Sequence, residues 1–210
     1  MRRILIPIVL TTSSCLLACN QAHADLIDFE TGFVDRQQIL ELTTPTNKIM
    51  ISLNAGGPAE IAEVGGPITA FEPRDDPLGG FPGRYFMHDG STAFSRNFIF
   101  IFDNPVSSLS FDLYDFEASG RTATLSTFTN QNQTGFVGED TSGGSPEDGG
   151  IVKMSFTSID TPFKSAIFEL DRIDRGYGID NIQFTTVPEP AFLSVLTLGL
   201  PILLRRKRRY

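Results

Sequence analysis

The sequence has no tryptophan, two histidines and two cysteines. Both cysteines, Cys15 and Cys19, lie close to the N-terminus. The chain beyond Ala24 therefore carries no thiol, which excludes an internal disulfide, a cysteine nucleophile and a zinc–thiolate centre there. It retains one histidine, His88, so a Ser-His-Asp hydrolase would have to be built on that residue. His88 stands in Tyr85-Phe-Met-His-Asp-Gly90, a turn-like stretch, and no Gly-x-Ser-x-Gly leads into a helix. A P-loop, a Rossmann glycine motif and His-Glu-x-x-His are all missing. Heptads, a long helical stripe and a repeat of fixed period are missing too, which leaves no case for a coiled coil, a propeller or a solenoid.

Basic residues are scarce between the two ends. Of 17, Arg2 and Arg3 open the chain and Arg205, Arg206, Lys207, Arg208 and Arg209 nearly close it. From Asp25 to Pro188 there remain 10 basic side chains against 24 acidic ones, a formal charge of −14. Such a domain repels phosphate backbones, so nucleic acid is excluded as a partner. Clustered carboxylates suit a divalent cation better.

What the chain has in quantity is phenylalanine (18), glycine (19) and proline (13). Short Phe-containing runs broken by Gly and Pro read as strands and turns. Strands are expected at Leu26–Glu30, Lys48–Leu53, Asn97–Asp103, Ser107–Phe116, Arg121–Thr129, Ile151–Thr157, Ser165–Leu170 and Tyr177–Phe184, with Asn104-Pro105 as a turn between the third and fourth. Within Ser107–Phe116 the alternation puts Leu109, Phe111 and Leu113 on one face and Ser110, Asp112 and Tyr114 on the other. Eight or more short strands predict an all-β fold, an antiparallel β-sandwich of jelly-roll type, with a barrel as the alternative. Gly56–Gly83 and Asn130–Gly150 read as long irregular loops, binding or mobile.

The ends have their own logic. Arg2-Arg3, an apolar stretch from Ile4 and Ala22-His23-Ala24 form a secretory signal over residues 1–24, cut by signal peptidase before Asp25. Leu16-Leu17-Ala18-Cys19 also resembles a lipobox, in which Cys19 would become a lipidated N-terminus. The domain proper is expected over residues 25–186. At the far end Val187-Pro188-Glu189-Pro190 leads into a 14-residue apolar run, Ala191 to Leu204, and then the basic cluster Arg205–Arg209. As a helix the run reaches about 21 Å, short of the ~30 Å hydrocarbon core. The basic cluster should stay cytoplasmic, with the acidic domain outside.

This order, Pro188-Glu189-Pro190, short apolar helix, arginine cluster, resembles the PEP-CTERM sorting signal of Gram-negative bacteria. The resemblance covers residues 187–210. It implies recognition of Pro188, Glu189 and Pro190 by an exosortase-type enzyme, transient anchoring in the inner membrane, and release to the outer surface or the extracellular matrix. Proteins with this tail are commonly linked to extracellular polysaccharide and biofilm.

Two acidic groups are candidate sites. Asp28-Phe29-Glu30 and Gly178-Ile-Asp180-Asn-Ile182 lie at the two ends of the domain. They resemble segments of MAM-like and carbohydrate-binding jelly rolls in which acidic residues hold a structural calcium. That resemblance implies Asp28, Glu30 and Asp180 as calcium ligands that tie the termini together. Asp28 and Glu30, two apart on a strand, would share a face. Asp112 and Tyr114 form the second group: a carboxylate beside an exposed ring is a platform for a sugar. A polar outer sheet face explains the same residues. Among 24 acids some pair meets glycosidase spacing by chance, so no catalytic residue is assigned. The expectation is a non-enzymatic exported surface or matrix protein that binds polysaccharide or adheres. A secreted polysaccharide hydrolase and a ligand-free matrix protein are the alternatives.

Overall fold

A computed structural model describes residues 22–64, 83–90, 97–114, 116, 122–144, 150–171 and 177–188. The expected signal segment ahead of Ala22, Cys19 with it, and the tail from Glu189 and Pro190 through Arg205–Arg209 lie outside these residues, as do the glycine-rich stretches 65–82 and 145–149. Among the described residues there is no helix, and twelve strands pair antiparallel throughout. The fold is all-β, as expected.

Its organiser is one long strand, β7 (Phe98–Tyr114). The first half of β7 lies between β4 (Lys48–Leu53) and β11 (Phe163–Leu170). Its second half lies between β10 (Ile151–Thr157) and β12 (Gly178–Thr186). One strand thus serves two layers. The first layer runs β3 (Glu41–Thr43), β4, β7, β11, β8 (Thr122–Phe128), β9 (Phe136–Gly143). The second runs β10, β7, β12, and there divides. β1 (His23–Ile27) covers the later part of β12, while β6 (Tyr85–His88) covers the earlier part and continues to β5 (Ala59–Glu63) and β2 (Gln38–Ile39).

Phenylalanine fills the space between the layers. Phe98, Phe100 and Phe102 from the first half of β7, and Leu109, Phe111 and Leu113 from the second, are all fully buried. Rings meet across the layers: Phe100 on Phe111 at 5.8 Å, Phe102 on Phe184 at 5.6 Å, Phe168 on Phe111 at 5.3 Å. Each such pair adds about 1 kcal/mol beyond the area it buries.

Four expectations are corrected. Asn104-Pro105 is not a turn, since the chain continues through it as strand. Proline is tolerated because this is where β7 changes partners: the pairing with β11 jumps from Ile101–Ser165 to Val106–Phe163, so no ladder bond needs the missing N–H. The Pro105 carbonyl still accepts from Val187 N at 2.8 Å. The stretch Asn130–Gly150 is not all loop, because β9 lies in it, and β5 lies in Gly56–Gly83. β9 has few apolar residues and is held by backbone pairing to β8, which leaves no alternation to read. β6 occupies the stretch read as turn-like.

At the partner change an amide does the work of the lost ladder. Asn47 is buried. Its Oδ1 accepts from Asn104 N at 3.0 Å and Lys48 N at 2.9 Å, and its Nδ2 donates to Asn104 O at 3.0 Å and Thr186 Oγ1 at 3.2 Å. Asn104 Nδ2 returns a bond to Thr46 O at 2.9 Å. β4, β7 and β12 are thereby stapled at one corner. Truncation would orphan several buried groups, each costing about 1–3 kcal/mol. Asn47→Ala is expected to lower unfolding stability by about 3 kcal/mol in urea titration, whereas Ser52→Ala, on the same layer's outer face, should leave it within about 0.5 kcal/mol.

Candidate functional site

The two acidic groups expected from sequence come together at one place, the Gly178 end of the second layer. Asp180 stands opposite Asp112 in the β12–β7 ladder. The next partners in the ladder are Gln183 and Ser110, so β12 carries one extra residue there, a β-bulge. Asn181 takes it up in the left-handed region, at φ 51°. An asparagine tolerates that conformation better than most residues. The bulge re-aims Asn181 between the two carboxylates. Its N–H donates to Asp180 Oδ1 at 2.7 Å, and its Nδ2 donates to Asp112 Oδ2 at 3.0 Å and to the Tyr114 hydroxyl at 3.2 Å. Like charges directly opposite on a sheet repel, and this amide is what lies between them.

The N-terminal acids reach the same place by a turn. β1 ends at Ile27, and Phe29 follows at φ 49° with its ring fully buried, edge-on to Phe33 at 5.2 Å. Asp28 and Glu30 are therefore not two positions of one strand, contrary to the expectation. Asp28 Oδ1 accepts from Glu30 N at 3.3 Å and closes its own turn. Both Glu30 carboxylate oxygens share the Arg84 N–H, at 2.8 and 2.9 Å. Gly83 makes this approach possible: a Cβ there would collide with Glu30 Oε1 and stand 3.4 Å from Asp180 Oδ2. Glu30 and Asp180 thus face one another across a residue with no side chain.

The Arg84 side chain does not neutralise them. It turns away to Glu63, at 2.7 Å from Nε and 2.6 Å from the terminal nitrogen, with its guanidinium over Tyr85. Burial pushes the Asp180 carboxyl up to about 7, the Asn181 N–H pulls it back, and the charges of Glu30, Asp28 and Asp112 add to the rise. Burial also raises the Tyr114 hydroxyl, with Asp180 and Asp112 contributing. Tyr114 is 1% exposed. The open stacking platform expected of it is not there; its ring is packed inside and its hydroxyl serves the cluster.

The donors fit a hard cation by type, since they are oxygens. By arrangement the fit is partial. Among the described residues no three His, Cys, Asp or Glu side chains form a metal-binding group. Glu30 and Asp180 converge, while Asp28 is engaged in its turn.

A second feature lies on the outer face of the same layer. Ala24, Asp25 and Leu26 from β1, Gln183, Phe184 and Thr185 from β12, and Ser108 and Ser110 from β7 line an open groove of about 360 Å³. Leu26, 56% exposed, is an apolar part of its lining. Ser108 Oγ donates to Thr185 Oγ1 at 2.9 Å. The Asp25 carboxylate accepts from the Thr44 hydroxyl at 3.0 Å and from the Thr46 hydroxyl, which fixes the groove wall to the loop before β4. Sequence reasoning missed this groove. The alternation of Ser107–Phe116 already set Ser110 on the outer face, but not Leu26 and Gln183 beside it.

The remaining candidates are placed as follows. Ala22 and Ala24 are exposed, and Ala24 pairs with Thr185 inside β1. Pro188 follows the end of β12 at Thr186 by two residues. His88 is buried, its Nδ1 accepts from Gly90 N at 2.9 Å, and desolvation lowers it to about 4.

Neither a protein-family description nor any curated protein matches this chain. Among solved structures it is similar to the K2 cleaved adhesin domain of Lys-gingipain, at 14% identity over 78% of this chain and 98% of that one, with a TM-score of 0.47. It is also similar to the K1 cleaved adhesin domain of Lys-gingipain from Porphyromonas gingivalis W83, at 14% identity over 79% and 99%, TM-score 0.36. A third is a family 11 carbohydrate-binding module from Clostridium thermocellum, in complex with a mixed-linked tetrasaccharide, at 11% identity over 80% and 98%, TM-score 0.31. Likenesses this loose carry neither ligand nor activity across.

The pH dependence of stability follows from Asp180. Between its ordinary value of 3.8 and its folded value of about 7, the unfolded chain has lost a proton that the folded chain still holds. Stability therefore falls as pH rises through that window and levels off above it. In Asp180→Asn this contribution is gone. Thermal melts across the window are expected to show a less negative slope with rising pH in the variant than in the wild type; parallel slopes would contradict the assignment.

Proposed function

We propose that this protein is an exported, non-enzymatic surface protein, sorted by its PEP-CTERM tail, whose β-sandwich binds polysaccharide along the outer groove of β1, β12 and β7. The observation that carries this reading is the groove's lining. Ser108, Ser110, Thr185 and Gln183 offer neutral donors and acceptors over the apolar Leu26, the combination that suits sugar hydroxyls and ring faces.

Two observations favour binding over hydrolysis. His88 is buried, its Nδ1 accepts from Gly90 N, and desolvation lowers it to about 4, so it is a weak base closed to a substrate. A glycosidase needs two carboxyls flanking an open cleft; Asp180, which meets Glu30, is 3% exposed and closed to a sugar. Export and sorting are supported by the sequence at each end. On this reading signal peptidase removes residues 1–24, so β1 keeps Asp25–Ile27 against Phe184–Ile182 and the groove loses Ala24 from its edge; an exosortase-type enzyme acts at Pro188-Glu189-Pro190, and the inner membrane holds the tail until then.

Structural calcium is part of the reading, with Glu30 and Asp180 as its carboxylates. What supports it is a buried carboxyl facing another across Gly83, where a dication would supply the missing counter-charge. The ion would tie the turn after β1 to β12 and do no chemistry.

Binding of the purified protein to the host's own extracellular polysaccharide, with calcium and with EDTA, tests both statements. Saturable binding is expected, and Gln183→Ala combined with Ser110→Ala should weaken it about ten-fold without moving the melting temperature. EDTA should lower the melting temperature in the wild type and leave Glu30→Gln unmoved. No binding in either buffer would make a structural matrix role the better account. The surface-released form should begin at Asp25 by intact mass; a lipid on Cys19 would refute that boundary.

A further inference from the structure

The groove does not end at Gln183 and Ser110. Along β7 the outer-facing positions run Ser108, Ser110, Asp112, and Asp112 stands about 6–7 Å beyond Ser110 on the same face. The hydroxyl-lined strip therefore opens directly onto a carboxylate. Asp112 is half-buried and held: Asn181 Nδ2 donates to its Oδ2, and no hydrogen bond takes up its Oδ1 among the described residues. The domain around it carries 24 acids against 10 bases.

We propose that the groove takes a glycan bearing free amines, a partly or fully N-deacetylated hexosamine polymer, with sugar hydroxyls on the Ser108–Ser110–Gln183–Thr185 strip and an ammonium group on Asp112. This rests on the groove reading above and narrows it. Neutral donors and acceptors alone do not choose between glycans. A fixed carboxylate one step along the strip favours a cation there and rejects uronates and sulfated sugars. Among the described residues, Lys153 of β10 is the base opposite Asp112 in register. It is exposed, and the ion pairs among the described residues are Lys48–Glu41 and Arg84–Glu63. Lys153 competes with an incoming amine, so its removal strengthens binding.

The test is calorimetric titration of the purified protein with three hexamers, at a pH where free amines are protonated: glucosamine, N-acetylglucosamine and guluronate. The glucosamine hexamer should bind about ten-fold more tightly than the N-acetylated one, with the gap narrowing as salt is added. Asp112→Asn should abolish that gap and leave the N-acetylated hexamer unaffected. Asp171→Asn, an exposed acid at the end of β11, should leave the gap intact. If Asp112→Asn does not fold, Lys153→Gln supplies the reading, since it should widen the gap by a few fold. Equal affinity for the two hexosamines would overturn the amine while leaving the groove in place. So would a loss in Asp171→Asn equal to that in Asp112→Asn, because overall charge would then account for the preference. Guluronate binding as tightly as glucosamine would overturn it outright. Binding of none of the three would overturn the amine proposal, and binding of the host polysaccharide by the same protein would show that the groove reading survives it.

Discussion

Everything in this domain depends on β7 changing partners without breaking. A strand shared by two layers must leave one set of neighbours and join another, and between them its backbone groups have no ladder. Here the gap falls at Asp103–Pro105. Proline removes one donor that would otherwise go wanting, and the Asn47 amide meets the N–H and carbonyl of Asn104 much as a neighbouring strand would. Because that amide also reaches Thr186, the corner sets how β12 lies against β7. The groove and the acidic cluster are both built on those two strands. The corner lies at one end of their shared ladder and the cluster at the other.

At the acidic end the structure accepts local cost. Two non-glycine residues in left-handed conformation, Phe29 and Asn181, flank it, and a buried carboxyl, Asp180, meets Glu30 across Gly83. Residues held in sparsely populated conformations persist only where the surroundings over-determine them. Phe29 is held by its buried ring against Phe33, and Asn181 by three hydrogen bonds. Strain and unbalanced charge thus concentrate where the first and last segments of the domain meet.

Much of this was legible in the sequence, and the residues show why. β4 and β10 fall within the bounds that alternation assigns them, because each has one dry face and one wet face. The meeting of Asp28–Glu30 with Asp180 was likewise readable as two short acidic motifs at opposite ends. β9 was not, because an edge strand held through its backbone writes little into its side chains. The continuity of β7 through Pro105 was not, because proline's meaning depends on neighbours more than fifty residues away, Asn47 among them. The burial of Tyr114 defeats alternation for a related reason. Its ring stands on the nominal outer face, and its hydroxyl is met by Asn181 at a bulge that has no periodic signature.

The pairing of β1 with β12 has a mechanical consequence. Asp25, the first residue of the proposed mature chain, stands opposite Phe184, so the chain enters and leaves the domain side by side. Pulling the two ends apart would peel these strands open one bond at a time, which takes little force. A load entering at the groove and leaving through Val187 acts differently. It runs along β12, which is clamped on one side by β7 and on the other by β1 and β6, so the bonds are sheared together rather than unzipped in turn. The same sheet that is weak between its termini is strong between its groove and its tail.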